Sequence, residues 1–181
     1  MALTRRVALL RAVNVGGRKA TSADLRAMMA ELRLAEAQTL LQSGNLVFAA
    51  EEDDQALERT LEAAFAARFG FATDILVRSA GEWTELVAAN PMVQMATDDP
   101  SHLLVFVLRA KPEPAKVDAL RAWVPGRETL QAIGRALYVV YPDRMGDSKL
   151  TGAVIERRLG VRGTGRNWNT VTKLAALASP P

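Results

Sequence analysis

The stretch His102-Leu103-Leu104-Val105-Phe106-Val107-Leu108-Arg109 decides the fold. Leu103 to Leu108 is an uninterrupted apolar run, unmatched in length by any other free of tyrosine, and β-branched and aromatic types are prominent in it. Such a run reads as a strand buried on both faces. It is far shorter than the roughly 20 apolar residues a membrane span needs. A run of the same kind, Val7-Ala8-Leu9-Leu10, lies inside an expected strand from Arg6 to Val13. A buried strand therefore opens each half of the chain.

Outward from the first strand, residues 14–20 read as a glycine loop. Thr21 or Ser22 caps a helix to about Arg33, with Leu25, Met28, Met29 and Leu32 as its apolar stripe. Strands at residues 38–42 and 46–48 flank Ser43-Gly44-Asn45, a turn signal. The anions of Glu51-Glu52-Asp53-Asp54 suit the start of a helix that reaches Phe69 and stops at Gly70. A strand over residues 73–78 completes β-α-β-β-α-β, the order of ferredoxin-like folds. A short helix over residues 81–89 ends at Asn90-Pro91.

Outward from the second strand the order partly recurs. A helix over residues 114–123 is followed by a hairpin, residues 128–133 and 136–141, turning at Gly134. Helices over residues 150–159 and 167–178 follow. The expected fold is α+β with two subdomains. Residues 1–90 form a ferredoxin-like subdomain (βαββαβ), residues 91–100 a junction loop, and residues 101–181 a partial repeat, βαββα plus a C-terminal helix. Element order carries this reading; no residue-level repeat is visible.

Composition narrows the chemistry. A chain of 181 residues with 49% hydrophobic and 24% charged content is long enough to bury a full core. With no cysteine there is no disulfide, thiolate catalysis or cysteine-based metal site. His102 is the single histidine, so no histidine pair can hold a metal, and it reads as structural. The basic N-terminus lacks a signal-peptide apolar core, and the chain reads as soluble and cytoplasmic. Charge is uneven: residues 1–50 carry +4, residues 51–100 carry −8 and residues 101–181 carry +7. Basic ends that meet in space would attract an anion.

Three segments are candidates for holding it. Asn14-Val15-Gly16-Gly17-Arg18-Lys19 lies between a buried strand and a helix start, where backbone N–H groups can hold phosphate or carboxylate. It matches neither the P-loop nor the dinucleotide fingerprint. Gln42-Ser43-Gly44-Asn45 gathers amides and a hydroxyl on one turn, and Arg11, a cation at the end of a buried strand, can face it. At the C-terminal end, Ser148-Lys149 and Gly163-Thr164-Gly165-Arg166-Asn167 read as two helix starts bearing hydroxyls and cations. Helical spacing puts Trp168, Val171, Leu174, Ala175 and Ala178 on a core stripe and Arg166, Asn169, Thr170 and Lys173 on a polar one, with Thr164 or Asn167 as the cap. Asp98 and Asp99 read as solvated charges, and no spacing supports a Ser-His-Asp arrangement.

Arg11-Ala12-Val13-Asn14-Val15-Gly16-Gly17, Gln42-Ser43-Gly44-Asn45, Asn90-Pro91, Ser148-Lys149-Leu150-Thr151 and Thr164-Gly165-Arg166-Asn167-Trp168-Asn169-Thr170-Val171 together resemble the bacterial "domain of unknown function 1697" family. The resemblance runs nearly end to end. It implies an α+β fold with two subdomains and no assigned chemistry. It departs at Ala12-Val13, where the family often has Gly-Ile, and at Asn169, where members vary. It also favours Arg11, Asn14, Gln42, Asn45, Lys149, Arg166 and Asn167 as one constellation.

The expected function is binding of an anionic ligand, a phosphorylated metabolite, nucleotide or nucleic acid, in a cleft between subdomains. The expected ligand-binding residues are Arg11, Asn14, Gly16, Gly17, Gln42, Ser43, Asn45, Ser148, Lys149, Thr164, Arg166, Asn167 and Lys173. No metal, cofactor or membrane partner is expected. Two other readings stand beside it. One is a group-transfer or hydrolytic enzyme in which Lys149 or Arg166 stabilises a developing anion. The other is a protein-interaction domain. No base or nucleophile stands out, so no catalytic residue is assigned.

Overall fold

The structure is a computed structural model and describes residues 3–41 and 44–179. Its contacts divide the chain into two compact units, Met1–Glu85 with Leu174–Pro181, and Leu86–Lys173.

The first unit is built on β1 (Thr4–Leu10), α1 (Ser22–Glu31), β2 (Ala35–Leu40), β3 (Asn45–Ala50), α2 (Asp54–Phe69) and β4 (Ile75–Ser79). The strands form an antiparallel sheet in the order β2-β3-β1-β4. On one face Ala8, Leu10, Leu46, Phe48, Ile75 and Val77 pack with Leu25, Met28 and Met29 of α1 and Leu57, Leu61 and Phe65 of α2. The apolar stripe expected on the first helix is thus the buried one. Each helix begins on its expected cap: the Thr21 hydroxyl accepts the Asp24 N–H, and Asp53 accepts that of Ala56. Gly70 closes α2 at φ 75. α3 (Ala80–Ala88) follows β4 directly, and the unit boundary at Glu85 falls inside it.

The second unit contains α4 (Val93–Asp98), β5 (Leu103–Leu108), α5 (Pro114–Trp123), β6 (Thr129–Ile133), β7 (Ala136–Val140), α6 (Gly152–Leu159) and β8 (Gly163–Asn167), and then enters α7 (Trp168–Ala178). Its sheet has the order β6-β7-β5-β8, again antiparallel. Leu104, Phe106, Leu108, Leu130, Leu137, Val139 and Tyr141 form its core with Val117 and Leu120 of α5 and Ile155 and Leu159 of α6.

Two expectations change. The segment between Met92 and Ser101 is not a plain loop, since it holds α4. More consequentially, Gly163–Asn167 is a strand rather than a glycine loop, with Val105 opposite Arg166 and Leu108 opposite Gly163. The second unit therefore has the final strand thought to be missing, and both units read βαββαβ with a helix after the last strand.

The register makes the repeat explicit. The Leu10 N–H bonds the Gly44 carbonyl and that of Leu108 the Arg135 carbonyl. Arg11 bonds across to Asp74, and Arg109 to Arg162. Arg78 lies opposite Val7, and Arg166 opposite Val105. Both arginines are buried, at 3% and 8% exposure, and each donates to the carbonyl of the residue before it, Val77 and Gly165. The next residue in each strand caps the next helix: Ser79 Oγ accepts from Glu82 N–H and Asn167 Oδ1 from Thr170 N–H. The edge strands match as well. Glu62 and Glu58 of α2 accept the N–H groups of Ile75 and Val77, and Glu156 of α6 accepts that of Gly163. Helix carboxylates thus occupy donors that an edge strand would otherwise offer to another chain.

Candidate functional site

In the first unit, the connection from β1 to α1 covers residues 11–21. Within it Ala12 (φ 52), Asn14 (φ 59), Gly16 (φ 62) and Gly17 (φ 84) all take left-handed backbone. For Ala12 this conformation is strained, and it persists because the surroundings hold it. Asn14 Oδ1 accepts the Ala20 N–H at 2.9 Å and closes the loop on itself. Val13 and Ala20 are its buried feet, and residues 14–19 stay exposed. Arg18 lies over the Phe71 ring, 5.5 Å from its centroid, so its guanidinium is set against an aromatic face from the α2–β4 connection.

Asn14, Gly17, Arg18, Lys19, Ala20, Thr21 and Ser22 line a cavity of about 490 Å³ beside the start of α1. The first amides of a helix have no helical carbonyl to bond and carry the positive end of its dipole. Loops of successive N–H groups in such conformations form anion-binding concavities. Against this, Asp24 sits in the first turn, where its carboxylate accepts the Thr21 hydroxyl at 2.6 Å. Arg68 lies 3.6 Å from the same carboxylate. The Thr21 hydroxyl thereby donates to Asp24 while accepting its N–H as the cap of α1.

The turn after β2 approaches this loop closely. A Cβ on Gly44 would stand 2.7 Å from Val13 Cγ2 and 2.8 Å from Leu10 Cβ, at a φ of 72. Only glycine fits there. Gln42 and Ser43 lie outside the described residues. Asn45 belongs to β3 rather than to the turn. It is fully buried at the start of β3, and its Nδ2 donates to the Leu40 carbonyl at 2.9 Å, closing the hairpin it was expected to decorate. Arg11 is half-buried, with Asp74 in the lead-in of β4 at 3.8 Å.

The second-unit candidates separate. Arg166 and Thr164 are buried on β8, not displayed on a helix. The Arg166 guanidinium donates to Thr164 Oγ1 at 2.7 Å and the Gly165 carbonyl at 2.8 Å, and burial pushes its pKa down to about 10. The expected polar stripe is broken: Thr170 is buried, while Asn169 and Lys173 are exposed on α7. Trp168, Val171, Leu174 and Ala178 are the buried side, as the spacing required. Asn167, not Thr164, supplies the cap.

Ser148 does not start α6. The helix is capped by Thr151, whose hydroxyl accepts the Val154 N–H at 3.3 Å. Ser148 Oγ donates to the Glu128 carboxylate and accepts the Leu150 N–H. Lys149 beside it is exposed. Ser148, Lys149 and Asn167 lie at the end of the second sheet where β7 and β8 finish, whereas Thr164 lies near its other end.

A charged cluster that the sequence did not announce lies in the first unit. Arg6 Nε stands 3.3 Å from Asp54, and Arg78 lies 3.9 Å from Glu58. Burial, and then the neighbouring Glu82 carboxylate, raise Asp54 to about 6 against the opposing pull of Arg6 and Arg78. Elsewhere, hydrogen bonds from Ser101 and His102 hold Asp99 below the ordinary carboxylate range, so His102 is tied to a helix-end carboxylate. Among the described residues no group of three or more His, Cys, Asp or Glu can hold a metal ion, and no helix is long and apolar enough to cross a membrane.

Comparison with known proteins adds fold and kinship. The sequence profile of a family described as "Protein of unknown function (DUF1697)" matches residues 3–138. That range takes in the β1–α1 loop and stops before Ser148. No curated protein matches the chain. A solved structure, that of conserved bacterial protein SP0830 from Streptococcus pneumoniae, is similar with a TM-score of 0.78 at 22% identity, covering 98% of this chain and 100% of its own. At that identity the likeness speaks for the fold alone.

Proposed function

We propose that this chain, which belongs to the DUF1697 family of proteins of unknown function, binds a small anionic ligand bearing a phosphate or carboxylate at the β1–α1 loop of its first unit. The observation that carries the reading is the cavity of about 490 Å³ lined by Asn14, Gly17, Arg18, Lys19 and the first residues of α1. Backbone N–H groups and the helix dipole favour negative charge there, and Arg18 and Lys19 add two exposed cations. Asn14 holds the loop closed through Ala20. The one hydroxyl of the lining seen on a carboxylate, Thr21 on Asp24, is also the cap of α1, so the reading is binding rather than turnover.

Calorimetric titration of the full chain with phosphate, pyrophosphate, a sugar phosphate and a nucleoside monophosphate tests it. At least one is expected to bind, and more weakly as salt rises. Arg18→Ala with Lys19→Ala is expected to lower that affinity roughly tenfold or more, since charge-assisted hydrogen bonds contribute about 1.5–3 kcal/mol each. No heat with any of the four, or equal affinity in the double variant, refutes the reading.

A further inference from the structure

The repeat supplies an internal control for the end of each sheet where its first and second connections lie. In the first unit the residues facing one another just beyond β1 and β4 are Arg11 and Asp74, an opposite-charge pair at 3.8 Å. At the same place in the second unit the residues are Arg109 and Arg162, joined by the bond from Arg109 N–H to the Arg162 carbonyl at 2.8 Å. Like charges directly opposite are unfavourable. The third member repeats the pattern. Where the first unit has Gly44 accepting from Leu10, the second has Arg135 accepting from Leu108. Lys111 follows in the β5–α5 connection, on the rim of a cavity of about 200 Å³ that also holds Arg121, itself paired with Asp118.

Four cations thus gather at one end of a four-stranded sheet. Lys111 and Arg162 are exposed and Arg109 and Arg135 half-buried. Carboxylates lie near them too: Glu156, which accepts the Gly163 N–H, Asp118 beside Lys111, and Glu113 in the same connection, so cations outnumber anions without standing alone. Beyond Glu156, α6 adds Arg157, and Arg158 stacked on Trp123 at 3.9 Å. The unit as a whole carries 13 Lys and Arg against 8 Asp and Glu over residues 86–173, so +5, while the rest of the chain is net negative.

We infer that this end of the second unit is a contact surface for the phosphate backbone of a nucleic acid. The choice of arginine at three of the four positions favours phosphate, which its planar fork binds in two-point fashion. Among the described residues, the large apolar side chains exposed in the unit are Val93, Ile133 and Met145, too few to anchor a protein interface. Contacts of this kind read no sequence. The inference concerns a different surface from the β1–α1 loop and stands or falls apart from it.

The test is fluorescence anisotropy of the full chain with labelled single-stranded oligonucleotides, DNA and RNA. For four phosphate contacts on a single strand, raising salt from about 50 to about 200 mM is expected to weaken binding roughly 50-fold. In the Arg135→Gln, Arg162→Gln double variant the same salt change is expected to weaken it only roughly 7-fold. Arg26→Gln with Arg59→Gln removes the same charge from exposed helix positions of the first unit and is expected to keep the wild-type salt response. Lys111→Gln, in a connection outside the sheet, gives a milder version should the double variant fold poorly. No binding by the wild type at the lower salt overturns the inference. So does an unchanged salt response in both Lys111→Gln and the double variant, or equal affinity for polyglutamate, which would mark the surface as one for acidic protein.

Discussion

The connection from β1 to α1 and its counterpart from β5 to α5 join equivalent strands to equivalent helices, yet the first spans residues 11–21 and the second only 109–113. Five residues suffice to make the link. The longer version has four left-handed positions, two of them glycines, and the adjacent cations Arg18 and Lys19. The shorter one carries Pro112 and runs straight into Pro114 at the start of α5, neither with an N–H to offer. One architecture therefore carries a donor-rich loop in one copy and a donor-poor one in the other. The strands and buried arginines, by contrast, are nearly superposable in role. What the two units share concerns folding, and what they do not share points to function.

The largest expected effect tests the sharing. Arg78→Ala removes a buried guanidinium that holds the Val77 carbonyl and faces Glu58, and Arg166→Ala removes its counterpart. Each is expected to lower unfolding free energy by about 3 kcal/mol or more in urea titrations, the range for breaking a buried charged contact. A loss below about 1 kcal/mol in one alone would show that the repeat extends to the backbone but not to energetics.

Gly44→Ala probes the point where the units diverge. The new Cβ meets Val13 and Leu10 and the backbone is left-handed, so a loss of about 2–3 kcal/mol is expected. At the equivalent place the second unit already carries Arg135, and Arg135→Ala is expected to change stability by less than about 1 kcal/mol. Equal losses at the two positions would erase the contrast.

The helix caps should again behave alike. Ser79→Ala and Asn167→Ala are each expected to cost about 1 kcal/mol by thermal or chemical unfolding. The carboxyl cluster of the first unit separates the halves once more. Asp54 is raised from 3.8 to about 6, so the folded form keeps a proton that the unfolded chain releases earlier. Its contribution to stability is complete below 3.8 and is lost as pH rises through about 6. Asp54→Asn is therefore expected to flatten the melting temperature across that window and to raise it above pH 6. A steeper dependence in the variant would contradict the assignment. The smallest effect is Ala12→Gly, expected to stabilise by about 0.5–1 kcal/mol by relieving left-handed alanine.

Much of the fold could be read from the chain because its signals are local. Apolar runs marked β1, β5 and β7, Thr21 and the Glu51–Asp54 cluster marked helix starts, and Gly70 marked a helix end. β8 could not be read that way. Gly163-Thr164-Gly165-Arg166-Asn167 has low strand propensity and the look of an anion loop. It is a strand because the open edge of β5 offers it a ladder. Its glycines are there because a Cβ on Gly165 would stand 3.0 Å from the Phe106 ring and one on Gly163 2.7 Å from the Val107 carbonyl. Misreading that segment carried Thr164 and Arg166 into the expected site, when their side chains are buried. The paired arginines Arg78 and Arg166 were equally hidden, since only the strand register makes them equivalent.

The sequence by itself determined the strands and helices of the first unit, the cap of α1, the core stripe led by Trp168 and the uneven charge, because each depends on residues a few positions apart. The tertiary structure decided that the second unit is complete, that Arg166 and Asn45 are buried, and that Arg109, Arg135 and Arg162 share one sheet end. Those facts depend on strand pairing between residues dozens of positions apart, which local propensity does not encode.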